Sequence, residues 1–299
     1  MLRKMTVTIL ALTLLACICS AGAQSQKLKV FISVDMEGIT GVVHSDQTGT
    51  GPEYNTARKW MAEDVNAAIE GALLAGATEI VVNDSHGGMR NILLSDLHQA
   101  ATLISGTPKP LGMMQGIDAT FDAAMFIGYH AKAGTADAIL DHTISGATVY
   151  YVKINGTELP ELGINGLIAG HFNVPVVLVS GDKAVCEQAR EVLGDGVMTA
   201  QVKEAIGRYA AKNLGFGKAH RLISDQAAAA LRKRQEIKPY KMPAPYRFEL
   251  AYLRSSQADN AMAVPGVKRI NARAVQIESS DVVAGYRFMR ALISLGSDN

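Results

Sequence analysis

Between Val30 and Val82 the chain passes through a β-branched and aromatic run, an amphipathic helical stretch and a second β run, and that succession leaves few folds open. Val30-Phe31-Ile32-Ser33-Val34 reads as a buried strand. Tyr54 to Ala75 reads as a helix: Met61, Val65, Ala68 and Ala72 share a face, and Gly76 closes it. Glu79-Ile80-Val81-Val82 is the next strand. Strand, helix and strand in this order form a βαβ unit, whose two strands run parallel with the helix crossing over one face.

The pattern continues. Ala101 to Ser105 is a short strand and Ala123 to Tyr129 a stronger one. Val149 to Ile154 and the residues after Thr157 flank Asn155-Gly156, a strong hairpin signal. Glu161 to His171 reads as a short helix, and Val174 to Ser180 as a strand buried on both faces. Gly181-Asp182 then starts a helix carrying Cys186. This is an α/β architecture, a mostly parallel sheet flanked by helices. From Gly194 the texture changes. Val202 to Leu214 and His220 to Gln235 read as polar, alanine-rich helices, and a proline-bearing linker spans Lys238 to Pro245. Two strands follow, Arg247 to Leu253 and Ala272 to Ile277, and then a final helix stopped by Gly296. The expected organisation is a catalytic α/β domain over 24–193 and a smaller α+β lobe over 194–299 that closes a cleft or builds an oligomer.

Residues 1–23 read as an export signal. Arg3 and Lys4 precede an apolar run to about Cys19, and Ala21-Gly22-Ala23 is a small-residue cleavage site. The run is too short for a spanning helix. Leu14-Leu15-Ala16-Cys17 also resembles a lipoprotein box, so the expectation is a secreted or periplasmic protein, with no membrane partner unless Cys17 carries a lipid. Removing Arg3 and Lys4 takes the net charge from +1 to −1, which points away from nucleic acid. Cys17 and Cys19 belong to the leader, so Cys186 stands alone in the body and reads as core packing rather than a nucleophile.

The chemistry gathers at strand ends. Asp35 and Glu37 follow the first strand, with their side chains expected on one side of an extended chain. His86 follows the second in Asn83-Asp84-Ser85-His86, and His130 follows the fourth in Gly128-Tyr129-His130-Ala131. Glu161 comes shortly after the hairpin. The carboxyl ends of parallel strands form one edge, where α/β sheets place their ligands. Carboxylates and imidazoles are zinc ligands, and five of them exceed what one tetrahedral ion needs. They suit two metals about 3.5–4 Å apart sharing a carboxylate. Each residue has a plainer reading: His86 could cap a turn, and Glu161 could be an ordinary first-turn glutamate. Of the seven histidines, His44, His98, His171 and His220 fall in loop or helix contexts and read as ordinary.

Ser33-Val34-Asp35-Met36-Glu37-Gly38, Asn83-Asp84-Ser85-His86, Gly128-Tyr129-His130-Ala131 and Glu161-Leu162-Gly163 occur in the order found in the DppA-type D-aminopeptidases, and the chain resembles that family from Lys29 to Asp182, more loosely beyond. The resemblance implies a dinuclear centre of two zinc ions per subunit held by Asp35, Glu37, His86, His130 and Glu161, with Asp35 as the bridge. It places His142, in Asp141-His142-Thr143, where the family has a catalytic histidine described as the nucleophile. A proton-transfer role suits an imidazole equally well. The implied substrates are short peptides with an N-terminal D-residue, D-Ala above all, and the implied assembly is a homo-oligomer of ten subunits. Pro160 before Glu161, and a leader on a usually cytoplasmic fold, depart from the family pattern. A dinuclear amidase or phosphoesterase is the alternative within the same chemistry, although no basic cluster lies near the motifs. A non-catalytic exported binder of metal or wall peptides is the alternative outside it. Glu37, Asp84 and Asp182 are candidates to hold the substrate's amino group.

Overall fold

The computed structural model describes residues 27–297; the leader over 1–23, with Cys17, lies outside them. In chain order the elements begin with β1 (Leu28–Val34), α1 (Tyr54–Leu74), β2 (Ala77–Asp84), β3 (Ala101–Ile104) and β4 (Ala123–Tyr129). Next come the hairpin β5 (Val149–Ile154) and β6 (Thr157–Glu158), then α2 (Glu161–His171), β7 (Val176–Asp182) and α3 (Lys183–Leu193). A second hairpin, β8 (Met198–Gly207) and β9 (Ala210–Asn213), leads to α4 (Phe216–Arg232). The chain ends with β10 (Tyr246–Tyr252), α5 (Ser255–Ala261), β11 (Lys268–Arg269), β12 (Ala274–Ser279) and α6 (Val282–Ser297).

Among the described residues these strands form two sheets. The larger has the order β3-β2-β1-β4-β7-β8-β9, parallel except for the edge strand β9. The smaller is antiparallel, in the order β11-β12-β10-β5-β6. The expected mostly parallel α/β sheet is therefore present. Alternation along β1 and β4 divides the core. Val30, Ile32, Val34, Met125 and Ile127 pack on one face with residues of α1 and α4, whereas Phe31, Phe126 and Tyr129 pack on the other with α2, α6 and the small sheet.

Two expected elements differ, the helix at 202–214 and the helix stop at Gly296. Val202 to Leu214 is not a helix but most of the β8–β9 hairpin. Ala200, Val202 and Ala205 enter the core, and pairing with β7 outweighs the helical preference of the local alanines. Strands from both sides of residue 193/194 enter each sheet's neighbourhood: β8 and β9 extend the large sheet, while β5 and β6 belong to the small one. Gly296 lies inside α6 rather than ending it, and its missing side chain admits the Tyr252 ring: a Cβ there would sit 2.6 Å from Tyr252 Cε1.

Candidate metal centre

The carboxyl ends of β2, β1, β4 and β7 lie side by side, and the segments leaving them build the site. Asp35 N donates to Ile127 O at 2.8 Å and Gly38 N to Gly128 O at 2.8 Å, so the Asp35–Gly38 turn folds across the end of β4. The two glycines are required there. A Cβ on Gly38 would lie 2.0 Å from Tyr129 O, and one on Gly128, whose φ is +69°, 2.4 Å from Asp35 O. Asp35 and Glu37 therefore converge through this turn, beyond the strand, and not through the pleat of an extended chain.

His86 arrives from β2 on a loop closed by Asp84, whose carboxylate accepts from Asn91 N, Asn91 Nδ2 and Ile92 N. His130 directly follows β4, and Glu161 opens α2 with Oε1 accepting from Ile144 N at 2.6 Å. These residues meet. His86 Nδ1 lies 3.1 Å from Asp35 Oδ1 and 3.0 Å from Glu37 Oε2. His130 Nε2 lies 3.5 Å from Asp35 Oδ2 and 3.3 Å from Glu161 Oε1. His142 Nε2 lies 3.7 Å from Glu161 Oε1, and its ring stacks on that of His130 with centroids 4.0 Å apart. All six residues named from the sequence are gathered at one edge of the sheet.

Whether a metal fits here is decided by the imidazoles. A carbonyl can only accept, so each ring nitrogen facing one must carry the hydrogen. His86 Nε2–H donates to Thr48 O (2.6 Å), His130 Nδ1–H to Ala131 O (2.9 Å) and His142 Nδ1–H to Leu140 O (2.9 Å). The opposite nitrogen of each ring is thereby aimed at the carboxylates, the outer-shell orientation typical of metal-ligating histidine. His130 Nε2 is buried without a hydrogen-bond partner, which a buried polar atom rarely is. Donors 3.0–3.7 Å apart also match two ligands on one tetrahedral zinc, which at ~2.0–2.2 Å each stand roughly 3.3 Å from one another. The donor set fits a divalent cation. His130, His142 and Glu161 form one group that could hold an ion, and Asp35, Glu37 and His130 another.

Without a cation, burial and the mutual charges of the cluster favour protons on it. Burial, then the neighbouring Glu37 charge, raises Asp35 to about 7. Burial would lower His130, but Glu161, ahead of Glu37 and Asp35, pushes it up to about 10. Burial likewise works against His86, whose pairing with Glu37 and Asp35 nonetheless holds it well above the usual range. Burial opposes ionisation of Glu161 too, yet His130 draws it down to about 2. A divalent cation would release the protons held on these imidazoles. His142 differs: burial and the His130 charge lower it, leaving a neutral ring.

Two acids considered for the substrate's amino group are already occupied. Asp84 closes the His86 loop, and Asp182 accepts from Val185 N at the start of α3 and from Ile139 N. Only Glu37 of the three faces the cluster. One residue that the sequence pattern did not reveal is Lys203 of β8, 1% exposed, whose Nζ donates to the carbonyls of Glu37, Ile39 and Val42 at 2.6, 2.8 and 2.5 Å. Burial lowers this ammonium to about 8, yet three acceptors match its three N–H donors, and it ties down the turn that carries Glu37. Lys203→Met should strand three buried carbonyls at ~1–3 kcal/mol each and cost about 3 kcal/mol or more of stability. Denaturant unfolding of the metal-free protein checks this; an unchanged midpoint would show that the turn holds itself.

Comparison with known proteins agrees with the geometry. A family model described as D-aminopeptidase (Peptidase_M55) matches residues 28–291. A D-aminopeptidase of Bacillus subtilis (strain 168) is 37% identical over 270 residues, covering 90% of this chain and 97% of the relative. A solved structure, described as the Zn-dependent D-aminopeptidase DppA from Bacillus subtilis, a self-compartmentalizing protease, superposes with a TM-score of 0.88. It is 35% identical and covers 91% of this chain and 99% of that one.

Proposed function

The chain belongs to the D-aminopeptidase family, and on that premise we propose that it is an exported dinuclear zinc aminopeptidase that removes N-terminal D-residues, D-Ala above all, from short peptides such as D-Ala-D-Ala. The observation that carries the reading is the convergence of Asp35, Glu37, His86, His130 and Glu161, with each histidine turned inward by a main-chain carbonyl. These five are the proposed ligands, with Asp35 shared, since its two oxygens face different histidines. Zinc bound by these residues would supply Lewis-acid polarisation of the scissile carbonyl and a more acidic water.

The chain's own side chains do the rest. His142 takes the proton of the attacking water at Nε2, the nitrogen left free by its bond to Leu140 O, and returns it to the departing amine as the peptide C–N bond breaks. Glu161 Oε1, fixed by Ile144 N, faces both His130 and His142 and holds the two rings in register. A leader over 1–23 gives this enzyme access to peptides released from the cell wall. The reading includes a homo-oligomer with its sites facing an internal space, supported by the relative described as self-compartmentalizing.

Purified protein incubated with D-Ala-D-Ala and L-Ala-L-Ala, before and after chelation, tests the reading. The D-peptide should be cleaved, chelation should abolish turnover and zinc should restore it. Cleavage of the L-peptide alone would remove the stereochemical claim and leave the metal chemistry standing. Turnover that survives complete metal removal would overturn both.

A further inference from the structure

Beside the ligand cluster lies a small cavity of about 120 Å³, lined by Asp35, His86, His142 and Glu161 and also by Arg290. Arg290 is on α6, one turn after Tyr286, and shares its inward face; Arg287, between them, is exposed. The guanidinium rests over the turn at Gly112–Met114. A Cβ on Gly112, whose φ is +50°, would stand 3.9 Å from Arg290 Cζ and 2.6 Å from Tyr286 Oη, so the bare glycine makes room for both side chains. Arg290 is half-buried, yet it makes no hydrogen bond or salt bridge to any described residue, and the carboxylates that share the cavity's lining pair with the histidines instead.

A cation in that position, with its donors free and facing a confined space, is suited to an anion brought by the ligand. Guanidinium presents paired N–H donors that match a carboxylate in a bidentate fork. Resting on the peptidase reading above, we infer that Arg290 receives the C-terminal carboxylate of the substrate and thereby selects short peptides. An extended chain spans ~3.3–3.6 Å per residue, so a cavity of this size sets the carboxylate only one or two residues beyond the scissile bond. A longer peptide would bring uncharged main chain to the guanidinium in place of a carboxylate.

The test compares D-Ala-D-Ala with its C-terminal amide on the zinc-loaded full-length protein. Wild type should prefer the acid by roughly 10- to 100-fold in kcat/KM, the span of a charge-assisted hydrogen bond. In Arg290→Met that ratio should fall to near one, with the loss on the acid carried mainly by KM. Arg290→Lys, which keeps the charge but not the fork, should lie between them. A wild type indifferent to the amide, or an Arg290→Met that slows both substrates alike, would overturn the inference and leave the peptidase reading intact. A wild type that cleaves neither would bring down the peptidase reading and this inference with it.

Discussion

Replacing Asp35 by alanine should leave a folded protein with no bound zinc and turnover lowered by roughly 10³–10⁴-fold, the several kcal/mol that metal catalysis supplies at ~1.4 kcal/mol per decade. The effect is large because the two oxygens serve different partners: Oδ1 faces His86 Nδ1 at 3.1 Å and Oδ2 faces His130 Nε2 at 3.5 Å. No other carboxylate of the cluster is shared in this way between those two histidines. The fold should survive, since the main-chain bond from Asp35 N to Ile127 O does not involve the side chain. Burial and Glu37 already disfavour the charge on Asp35, so its removal relieves repulsion in the metal-free protein. His86→Ala provides the contrast. It touches only the half built with Asp35 and Glu37, and should reduce the metal content from two equivalents to one. Elemental analysis with peptide turnover on the same samples checks both variants, and Asp35→Ala retaining two equivalents would remove the shared-ligand assignment.

Much of this was legible in the sequence, for physical reasons that differ from residue to residue. The parallel strands declare themselves by apolar runs because both of their faces are buried, as along Val30–Val34 and Ala123–Tyr129. Asp35, His86 and His130 stand out because polar side chains follow those runs directly, and parallel topology turns such positions into neighbours. Glu161 is less obvious: it reaches the cluster from the start of α2, after the hairpin of the other sheet, where a glutamate also reads as an ordinary first-turn residue, and the family resemblance strengthened it. The convergence of Asp35 and Glu37 was anticipated, but its cause is a turn that packs Gly38 against the main chain of β4, which no local periodicity encodes.

What stayed hidden depends on tertiary contact. Lys203 sits in a stretch rich in alanine and charge that reads as helix, and only pairing with β7 reveals a strand pointing an ammonium at three carbonyls some 160 residues earlier in the chain. Arg290 belongs to an ordinary amphipathic helix, and nothing in its spacing distinguishes it from the exposed Arg287. Its standing comes from α6 packing next to the Gly112 turn, which leaves the guanidinium over the cavity.

His142→Ala should lower kcat by about 10²–10⁴-fold, the range for loss of a positioned acid–base group. It should do so with both zinc ions still bound. The Nδ1–H bond to Leu140 O fixes the tautomer and leaves Nε2 as the acceptor, on the wall of the cavity, while burial keeps the ring neutral and able to take a proton. If the residue acts only on protons in transit, kcat and kcat/KM should fall together, since an interaction made only in the transition state is lost. The competing role is concrete, because His142 also falls with His130 and Glu161 in a group that could hold an ion. Metal analysis separates the two: loss of one zinc equivalent along with activity would make His142 a ligand, and retention of both with turnover collapsed would make it the proton carrier. Full turnover with both metals present would reduce it to a packing partner for the His130 ring, and the proton would then have to leave by way of Glu161 or solvent.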